Sequence, residues 1–238
     1  MSELADVKKR TGKSPSRAEK AAATRQRILD AAQQLFTEHG YASTTMQAIG
    51  DAADVAVQTV YFVFHTKGEL VSQLLKSVGA RPSEPIHTMD RDWVQEALTD
   101  PDGRRSLALM VEHGTDIYAR VTPVWAAIGQ AAAVEPEVAN VWNGIAHQRL
   151  QGVRTILGAV ADRGHLRDGL TADRAADIVY GLHRPETFTV FVDECGWAVE
   201  EFKAWSYRML CEQILEPEAA PAGAEPPTRG LAFDELLA

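Results

Sequence analysis

Side chains that could perform catalysis or hold a metal ion are few in this sequence, and they are poorly spaced for either task. Glu112 and His113 are adjacent and His147 follows later, but no two histidines stand four residues apart and no Glu-x-x-His motif is repeated. Cys195 and Cys211 lack C-x-x-C spacing, so we expect reduced thiols that serve in packing. The chain also lacks G-x-S-x-G, P-loop and dinucleotide-binding glycine motifs. We therefore expect no catalytic residue, metal or cofactor, and an enzyme built on a helical bundle stays as an alternative.

Charge is distributed unevenly along the 238 residues, although the formal net charge is −9. Residues 1–27 carry 8 Lys/Arg against 3 Asp/Glu and residues 1–81 carry 11 against 8, whereas the remainder carries 13 against 25. Such an asymmetry favours an N-terminal part that tolerates a polyanion. No apolar run approaches the roughly 18–20 residues of a membrane span, and the N-terminus lacks the apolar segment of a signal peptide. We expect a cytoplasmic protein with no membrane partner.

The segment DVAVQTVYFVF, residues 54–64, could form a strand or a helix. It is rich in β-formers and fits a period of two, but Val57, Val60, Tyr61 and Phe64 also share one helical face. Short helical patterns surround it and leave no partner strand, and a lone strand is unstable. We therefore predict a helix with Gln58, Thr59 and Phe62 on its other face. Asp54, which tolerates a left-handed backbone, would make the turn before it.

The elements around this helix follow from capping and periodicity. Residues 1–23 are polar and basic and are expected to form a flexible arm. A helix is predicted from Thr24 to the glycine of HGY, and Thr44 with Gln47 suggests a capping box for a second short helix. A helix from Lys67 to Val78 follows the segment, and residues 79–85 look like a connecting loop.

The remainder of the chain is predicted to be helical almost throughout. Thr122 and Pro123 suggest the start of a new helix, Glu135–Pro136 suggest another, and Thr171 caps a third that stops before Pro185. Two further helices are expected near residues 186–192 and 199–215, and the Pro/Ala-rich residues 216–238 read as a disordered tail. The sequence thus predicts an all-α protein with residues 24–78 as a small domain and residues 86–215 as a larger bundle.

A helix, a tight turn and a second short helix form the helix-turn-helix arrangement. Residues 24–70 closely resemble the N-terminal domain of the TetR (tetracycline-repressor-like) family of transcriptional regulators. The shared landmarks are Ile28, AA at 31–32, LF at 35–36, GY at 40–41, TT at 44–45, Ile49, TVY at 59–61, Phe64 and K-x-E-L at 67–70. GLT at 169–171 and PETF at 185–188 extend the resemblance loosely into the bundle.

The resemblance implies an N-terminal DNA-binding domain and names its contacts. Thr44 and Thr45 would bind phosphate at a helix start, and Tyr61 and Lys67 would contact the DNA backbone. Base edges would be read by amide, methyl and ring groups, and these come from Val57, Gln58, Thr59 and Phe62. The basic side chains of the arm could reach the minor groove or stay solvated. They are Lys8, Lys9, Arg10, Lys13 and Arg17.

Three positions depart from the family pattern. Ala56 stands where a capping Ser is usual, Asp54 where Gly is usual, and Val63 where His is common. From the residues alone, Val57, Tyr61 and Phe62 could also be ordinary core residues.

For the bundle, the resemblance implies ligand binding and dimerisation. The predicted pocket residues are His113, Tyr118, Trp125, Trp142, His147 and Tyr180. Excess apolar surface for a homodimer is expected at Phe188, Phe191, Phe202, Trp205, Met209 and Ile214. The implied function is a ligand-responsive regulator, a repressor, that binds a palindromic double-stranded DNA operator as a homodimer and is released by a small-molecule inducer. A small-molecule sensor with weakened DNA binding is the other alternative, and the inducer's identity stays open.

Overall fold

The computed structural model describes residues 16–80, 84–85 and 87–217, which fold almost entirely into helices. The described residues hold no strand, only an isolated bridge between Leu166 and Leu215. The predicted all-α class is therefore confirmed. The α-helices are α1 Arg17–Ser43, α2 Met46–Ala52, α3 Val57–Phe64, α4 Lys67–Val78, α5 Asp92–Thr99, α6 Gly103–Ala132, α7 Pro136–Asp162, α8 Ala172–Leu182, α9 Pro185–Phe188 and α10 Val199–Ile214. A 3-10 turn spans Thr88–Asp90, and a π-helical segment spans Thr189–Glu194.

Helix α1 begins at Arg17, seven residues before the predicted start at Thr24. The Ser16 hydroxyl accepts from the backbone N–H of Glu19, and the Glu19 carboxylate accepts from the N–H of Ser16, so a capping box starts the helix. Residues 17–23 therefore belong to α1 and not to an arm, because this cap precedes a run of strong helix formers. Residues 1–15 of the expected arm lie outside the described residues. Gly40 has φ +76°, which interrupts α1 at the predicted glycine stop.

The segment that could have been a strand is the helix α3. Asp54 has φ +53°, the left-handed turn conformation predicted for it. Helix α4 has the predicted bounds. The fully buried Ile28, Phe36, Ile49, Val60 and Phe64 form the core that holds α1 to α3 together.

Helix α6 runs unbroken for 30 residues, so the predicted helix start at Thr122–Pro123 is wrong. A proline inside a helix removes one hydrogen bond and costs about 3 kcal/mol. Pro123 itself faces solvent, whereas Val121, Val124 and Ile128 are buried on either side of it. Burial of this continuous apolar face offsets the cost of the proline.

The other boundaries in the bundle agree with the capping signals. Pro136 occupies the first turn of α7, and the Thr171 hydroxyl accepts from the N–H of Arg174 to cap α8. Helix α5 was not predicted, because only Trp93, Val94 and Ala97 of its eight residues are buried, too few to set a period. Residues 218–238 of the expected tail and 81–83 of the expected loop lie outside the described residues.

The core of the N-terminal helices is continuous with the bundle. Val124, Ile128 and Ala131 of α6 and Val138 of α7 pack into the same apolar cluster as α1 to α4. A second cluster joins α5, α6, α7, α8 and α10, and a smaller aromatic one surrounds Phe188 and Phe202. In the described part of the chain, no helix is both long and apolar enough to span a membrane.

Candidate nucleic-acid interface and ligand cavity

Helix α3 has one buried face and one face that projects into solvent. Val60 and Phe64 are fully buried, whereas Phe62 is 83% exposed and Tyr61 is 51% exposed. Gln58 is exposed and Thr59 half-buried. Tyr61 was predicted on the inner face, and this is wrong because about half of the residue is exposed to solvent. The alternative that Phe62 is a core residue is excluded by its exposure.

The turn before α3 holds that exposed face in place. The backbone N–H of Val55 donates to the carbonyl of Gly50 at 3.0 Å. A Cβ atom at Gly50 would lie 3.0 Å from the carbonyl oxygen of Val55, so a side chain there would push α2 away from the turn. Ala56 caps α3 with no side-chain hydrogen bond, as its departure from the family pattern predicts.

Thr44 and Thr45 differ in what they can bind. Thr44 is 2% exposed and its hydroxyl donates to the carbonyls of Gly40 and Leu35, so it is not positioned for phosphate and the predicted Thr44 capping box is wrong. Thr45 is exposed and its hydroxyl oxygen caps α2 by accepting from the N–H of Ala48 at 3.0 Å. The second threonine is the cap because the first is needed to close the end of α1.

Lys67 is already engaged with α1. Its ammonium group donates to the carbonyl of Tyr41 and lies 3.7 Å from the centroid of the Tyr41 ring. Burial lowers the pKa of Lys67, and the charge of Glu135 opposes that shift. Burial also raises the pKa of Tyr41 to about 12. The side chain thus ties α4 to α1, and the predicted contact with the DNA backbone would have to compete with this tie.

A cavity of about 600 Å³ lies in the bundle, bounded by the C-terminal end of α4, the 3-10 turn, α5, α6, α7 and α8. Three predicted pocket residues line it: Tyr118, Trp125 and His147. The other three do not line it and instead pack behind residues that do, so their assignment is wrong. His113 stacks on Trp93 at 5.1 Å, Trp142 packs on Trp125 at 4.0 Å, and Tyr180 lies 4.1 Å below the Arg149 guanidinium.

Sequence reasoning missed several lining residues, including Met89, Met110, Arg149 and His183. Two glycines, on the facing helices α6 and α7, are the sequence signal that could have indicated His183 and Met89. A Cβ atom at Gly114 would lie 2.9 Å from the His183 ring, and one at Gly152 would lie 3.4 Å from the sulfur of Met89. Glycine inside an amphipathic helix often marks such a close approach.

Buried polar groups stiffen one side of the cavity. His183 is fully buried, with its ring Nε2 3.0 Å from the Thr115 hydroxyl, and the Tyr118 hydroxyl donates to the His183 carbonyl at 3.0 Å. Burial, aided by the charge of Arg149, lowers the pKa of His183 to about 3, so its ring is neutral. Burial alone would raise the pKa of Glu186, but hydrogen bonds from Arg184 and Trp125 outweigh it and bring that pKa to about 2.

Helix α4 connects the cavity with the N-terminal helices. At its C-terminal end, Arg91 and Arg120 both donate to the carbonyl of Gly79, at 3.1 and 3.2 Å, and Gly79 lines the cavity. At its N-terminal end, the hydroxyl of Thr66 caps the helix and donates to the carboxylate of Glu137 on α7. One rigid element therefore touches both the cavity wall and the helix-turn-helix.

Some of the apolar residues predicted to form a dimer surface pack instead in the core of the single chain. Phe188, Phe202 and Ile214 are buried in it, so they are not free for a dimer interface and that part of the prediction is wrong. They pack inward because α9 and α10 both lie against α6. Phe191, Trp205 and Met209 are half-buried, while Leu182 and Val190 are 40% and 44% exposed.

The described residues contain no group of three or more His, Cys, Asp or Glu side chains that could hold a metal ion. Neither Cys195 nor Cys211 forms a disulfide. Cys211 is buried, but Cys195 is exposed and does not serve in packing.

Residues 28–74 match the family model described as bacterial regulatory proteins, tetR family. The HTH-type transcriptional regulator TtgR of Pseudomonas putida is 29% identical over 162 residues, which cover 66% of this chain and 75% of TtgR. The HTH-type transcriptional repressor AcnR of Corynebacterium efficiens is 26% identical over 60% of this chain and 69% of its own. These relatives are regulators and not enzymes, as predicted.

Solved structures share the fold at lower identity. The complex of SmeT with triclosan has a TM-score of 0.66 at 21% identity, over 88% of this chain and 100% of that one. NalD, the secondary repressor of the MexAB-OprM multidrug efflux pump in Pseudomonas aeruginosa, has a TM-score of 0.68 at 20% identity, over 84% and 100%. Residues 28–74, which contain the helix-turn-helix, thus match the tetR family of bacterial regulatory proteins, and the chain is similar over about two thirds of its length to a transcriptional regulator.

Proposed function

We propose that this chain is a ligand-responsive repressor that binds a palindromic DNA operator as a homodimer and leaves it when a small molecule fills the cavity. The observation that carries the proposal is the exposed face of α3, where a phenylalanine ring, Phe62, remains 83% in solvent beside Gln58. A large apolar side chain left exposed next to a hydrogen-bonding amide is typical of a recognition surface.

The chemistry of this face suits the major groove. The Gln58 amide can donate to and accept from the edge of an adenine, and the methyl of Thr59 and the ring of Phe62 can contact thymine methyl groups. Val57, half-buried at the start of α3, would add a further apolar contact. Thr45 and Tyr61, both exposed, would bind phosphates on either side.

Release by ligand would act through α4. A ligand in the cavity touches the residues at the C-terminal end of this helix, Leu75, Lys76 and Gly79. A small rotation of α4 would shift its N-terminal end, where Thr66 and Glu137 are hydrogen-bonded, and would change the spacing of two reading heads in a dimer. A differential ligand affinity of about 1–3 kcal/mol between the two spacings suffices for a usable switch.

Dimerisation and ligand release draw support from the molecule and from its relatives. Leu182 at the end of α8 and Val190 in the π-helical segment expose apolar surface, and the packed rings of Phe191 and Trp205 are half-buried. A two-fold dimer would bury this surface and set two α3 helices about one DNA turn apart. SmeT has been solved with triclosan, and SmeT, NalD and AcnR are repressors.

The test begins with an operator selected from random DNA by the full-length protein. We expect the double variant Gln58→Ala, Thr59→Ala to remain dimeric and to lose about tenfold or more in operator affinity, because each base contact contributes roughly 1–3 kcal/mol. Gln130→Ala, an exposed glutamine on α6, is the matched control and should bind normally. Unchanged affinity and selectivity in the double variant would refute the reading head.

A sensor with weakened DNA binding is the second candidate, favoured by the absence of a side-chain cap at Ala56. Salt dependence separates the two. If the protein is a repressor, its affinity for the selected palindrome should fall steeply with salt concentration, and it should still prefer the palindrome to random DNA. A weakened sensor would bind ligand but show no palindrome selectivity at any salt concentration.

A further inference from the structure

Three cationic side chains, Lys76, Arg91 and Arg149, line the cavity, whose wall is otherwise mostly apolar. Arg149 of α7 is half-buried and lines the cavity. Its Nη1 donates to the carbonyl of His183 over a long 3.4 Å, and its guanidinium carbon lies 4.1 Å from the centroid of the Tyr180 ring. Among the residues that the structure describes, no carboxylate lies within ion-pair distance of this guanidinium.

Two other arginines of the bundle have carboxylates within ion-pair distance. Arg91, which also lines the cavity, pairs with Glu84 at 3.6 Å. Arg154, one and a half turns along α7 from Arg149, lies 3.7 Å from Asp177 on α8. A partly buried cation that lacks an anionic partner retains N–H groups suited to a carboxylate, which binds a guanidinium through charge-assisted hydrogen bonds.

The rest of the wall is suited to an apolar body. Trp93, Trp125, Met89 and Met110 contribute rings and thioethers. Two carboxylates lie near: Glu186, which is already engaged by Arg184 and Trp125, and Asp90, which is exposed on the 3-10 turn. A cavity of about 600 Å³ falls within the range that holds drug-sized ligands.

We propose that the cavity takes an apolar aromatic compound that carries one carboxylate, with the acidic oxygens at Arg149 and the aromatic body between Trp93 and Trp125. This inference rests on the proposed function and deepens it, because it names the chemical class of the ligand.

The experiment uses three probes with one ring system: naphthalene-2-carboxylate, naphthalene-2-carboxamide and 2-naphthylmethylammonium. Binding to the full-length protein is measured by calorimetry and by quenching of tryptophan fluorescence, since two tryptophans line the cavity. We expect the carboxylate to bind about tenfold or more tightly than the carboxamide, and the ammonium to bind most weakly. In Arg149→Gln, the carboxylate and the carboxamide should bind within about twofold of each other.

Two further variants separate charge from structure. Arg154→Gln removes a guanidinium from the same helix on the side facing Asp177 and should keep the preference for the carboxylate. Arg149→Lys should keep part of it, because a point charge replaces the fork.

Three results would overturn the proposal: equal affinity of the wild type for carboxylate and carboxamide, a preference that survives in Arg149→Gln, or no binding of the carboxylate at its solubility limit. Where Arg149→Gln fails to fold, the wild-type comparison tests the preference for an acid, and Arg149→Lys tests whether Arg149 supplies it. Operator binding is measured on the same ligand-free preparation. Intact operator binding without an acid preference overturns this proposal alone, whereas loss of specific operator binding overturns the proposed function.

Discussion

Two phenylalanines of α3, two residues apart, should respond in opposite ways to the same substitution. Phe64 is fully buried and lies under the Arg25 guanidinium, 4.8 Å from the ring centroid, whereas Phe62 is 83% exposed. We predict that Phe64→Ala destabilises the fold and that Phe62→Ala leaves it intact but weakens operator binding. The pair tests whether the exposed face of α3 serves recognition while its buried face serves packing.

The magnitudes follow from burial. Truncating a fully buried phenylalanine lowers the free energy of unfolding by about 3–5 kcal/mol, while an exposed substitution changes it by no more than about 0.5 kcal/mol. A phenylalanine side chain offers roughly 200 Å², of which about 170 Å² remains in solvent at Phe62. If DNA covers half of that area at about 25 cal/mol per Å², the ring contributes about 2 kcal/mol per reading head, or about 30-fold in affinity.

Urea unfolding followed by circular dichroism gives the stabilities, and fluorescence anisotropy on the selected operator gives the affinities. Phe62→Ala should unfold at the urea concentration of the wild type and bind the operator more weakly. An affinity for the operator equal to that of the wild type would refute the assignment of Phe62. A loss of stability in Phe62→Ala comparable with that in Phe64→Ala would refute the orientation of α3.

Three other predictions concern the bundle. Arg91→Met should lower the free energy of unfolding in urea by about 3–5 kcal/mol, because Glu84 and the carbonyl at the end of α4 lose a buried partner. Burial lowers the pKa of His183 to about 3. The unfolded chain therefore binds a proton there that the folded chain excludes, so stability should decline as pH falls from about 6.5 towards 3; in His183→Gln, pH titration of the urea midpoint should show a shallower decline. Val190→Glu places a charge on the exposed apolar surface of the π-helical segment, and sedimentation should show a weakened dimer.

Each of these predictions has a matched control. Arg174→Met removes an exposed arginine whose ion pair with Asp177 is solvated, so stability should change little. His147→Gln replaces an exposed histidine, and Val134→Glu replaces an exposed valine in the turn between α6 and α7. If the arginine or the histidine control behaves like its test variant, burial is not the cause of the effect. If the valine control also weakens the dimer, the position of Val190 is not the cause.

Signals read within a few residues of the sequence predicted much of the fold correctly. Asp54 adopts the left-handed turn, Pro136 and Thr171 start their helices, and α4 has its predicted bounds. Each of these depends on backbone sterics or on a hydrogen bond three residues along the chain, so the neighbouring letters contain the needed information. The capping box of Ser16 and Glu19 is a local signal of the same kind, although it lies within a segment whose basic composition favours an arm.

Features that depend on distant packing could be decided only by the tertiary structure. Thr44 and Thr45 carry the same hydroxyl group. The packing at the end of α1 buries Thr44 and leaves Thr45 to cap α2. Pro123 would end an isolated helix, yet α6 continues because both flanks of its apolar face are buried. Free energy of burial accumulates over contacts between remote segments, and it exceeds the local preference of a single residue.

The cavity illustrates the same division. The resemblance to the tetR family implied a pocket among the middle helices, and Tyr118, Trp125 and His147, three of the six residues predicted for it, line the cavity. Whether a ring faces that space or packs one layer behind it, as Trp142 does against Trp125, depends on how neighbouring helices are rotated and how closely they approach. That rotation is set by ridges and grooves on several helices at once, and helical periodicity along one of them does not contain it.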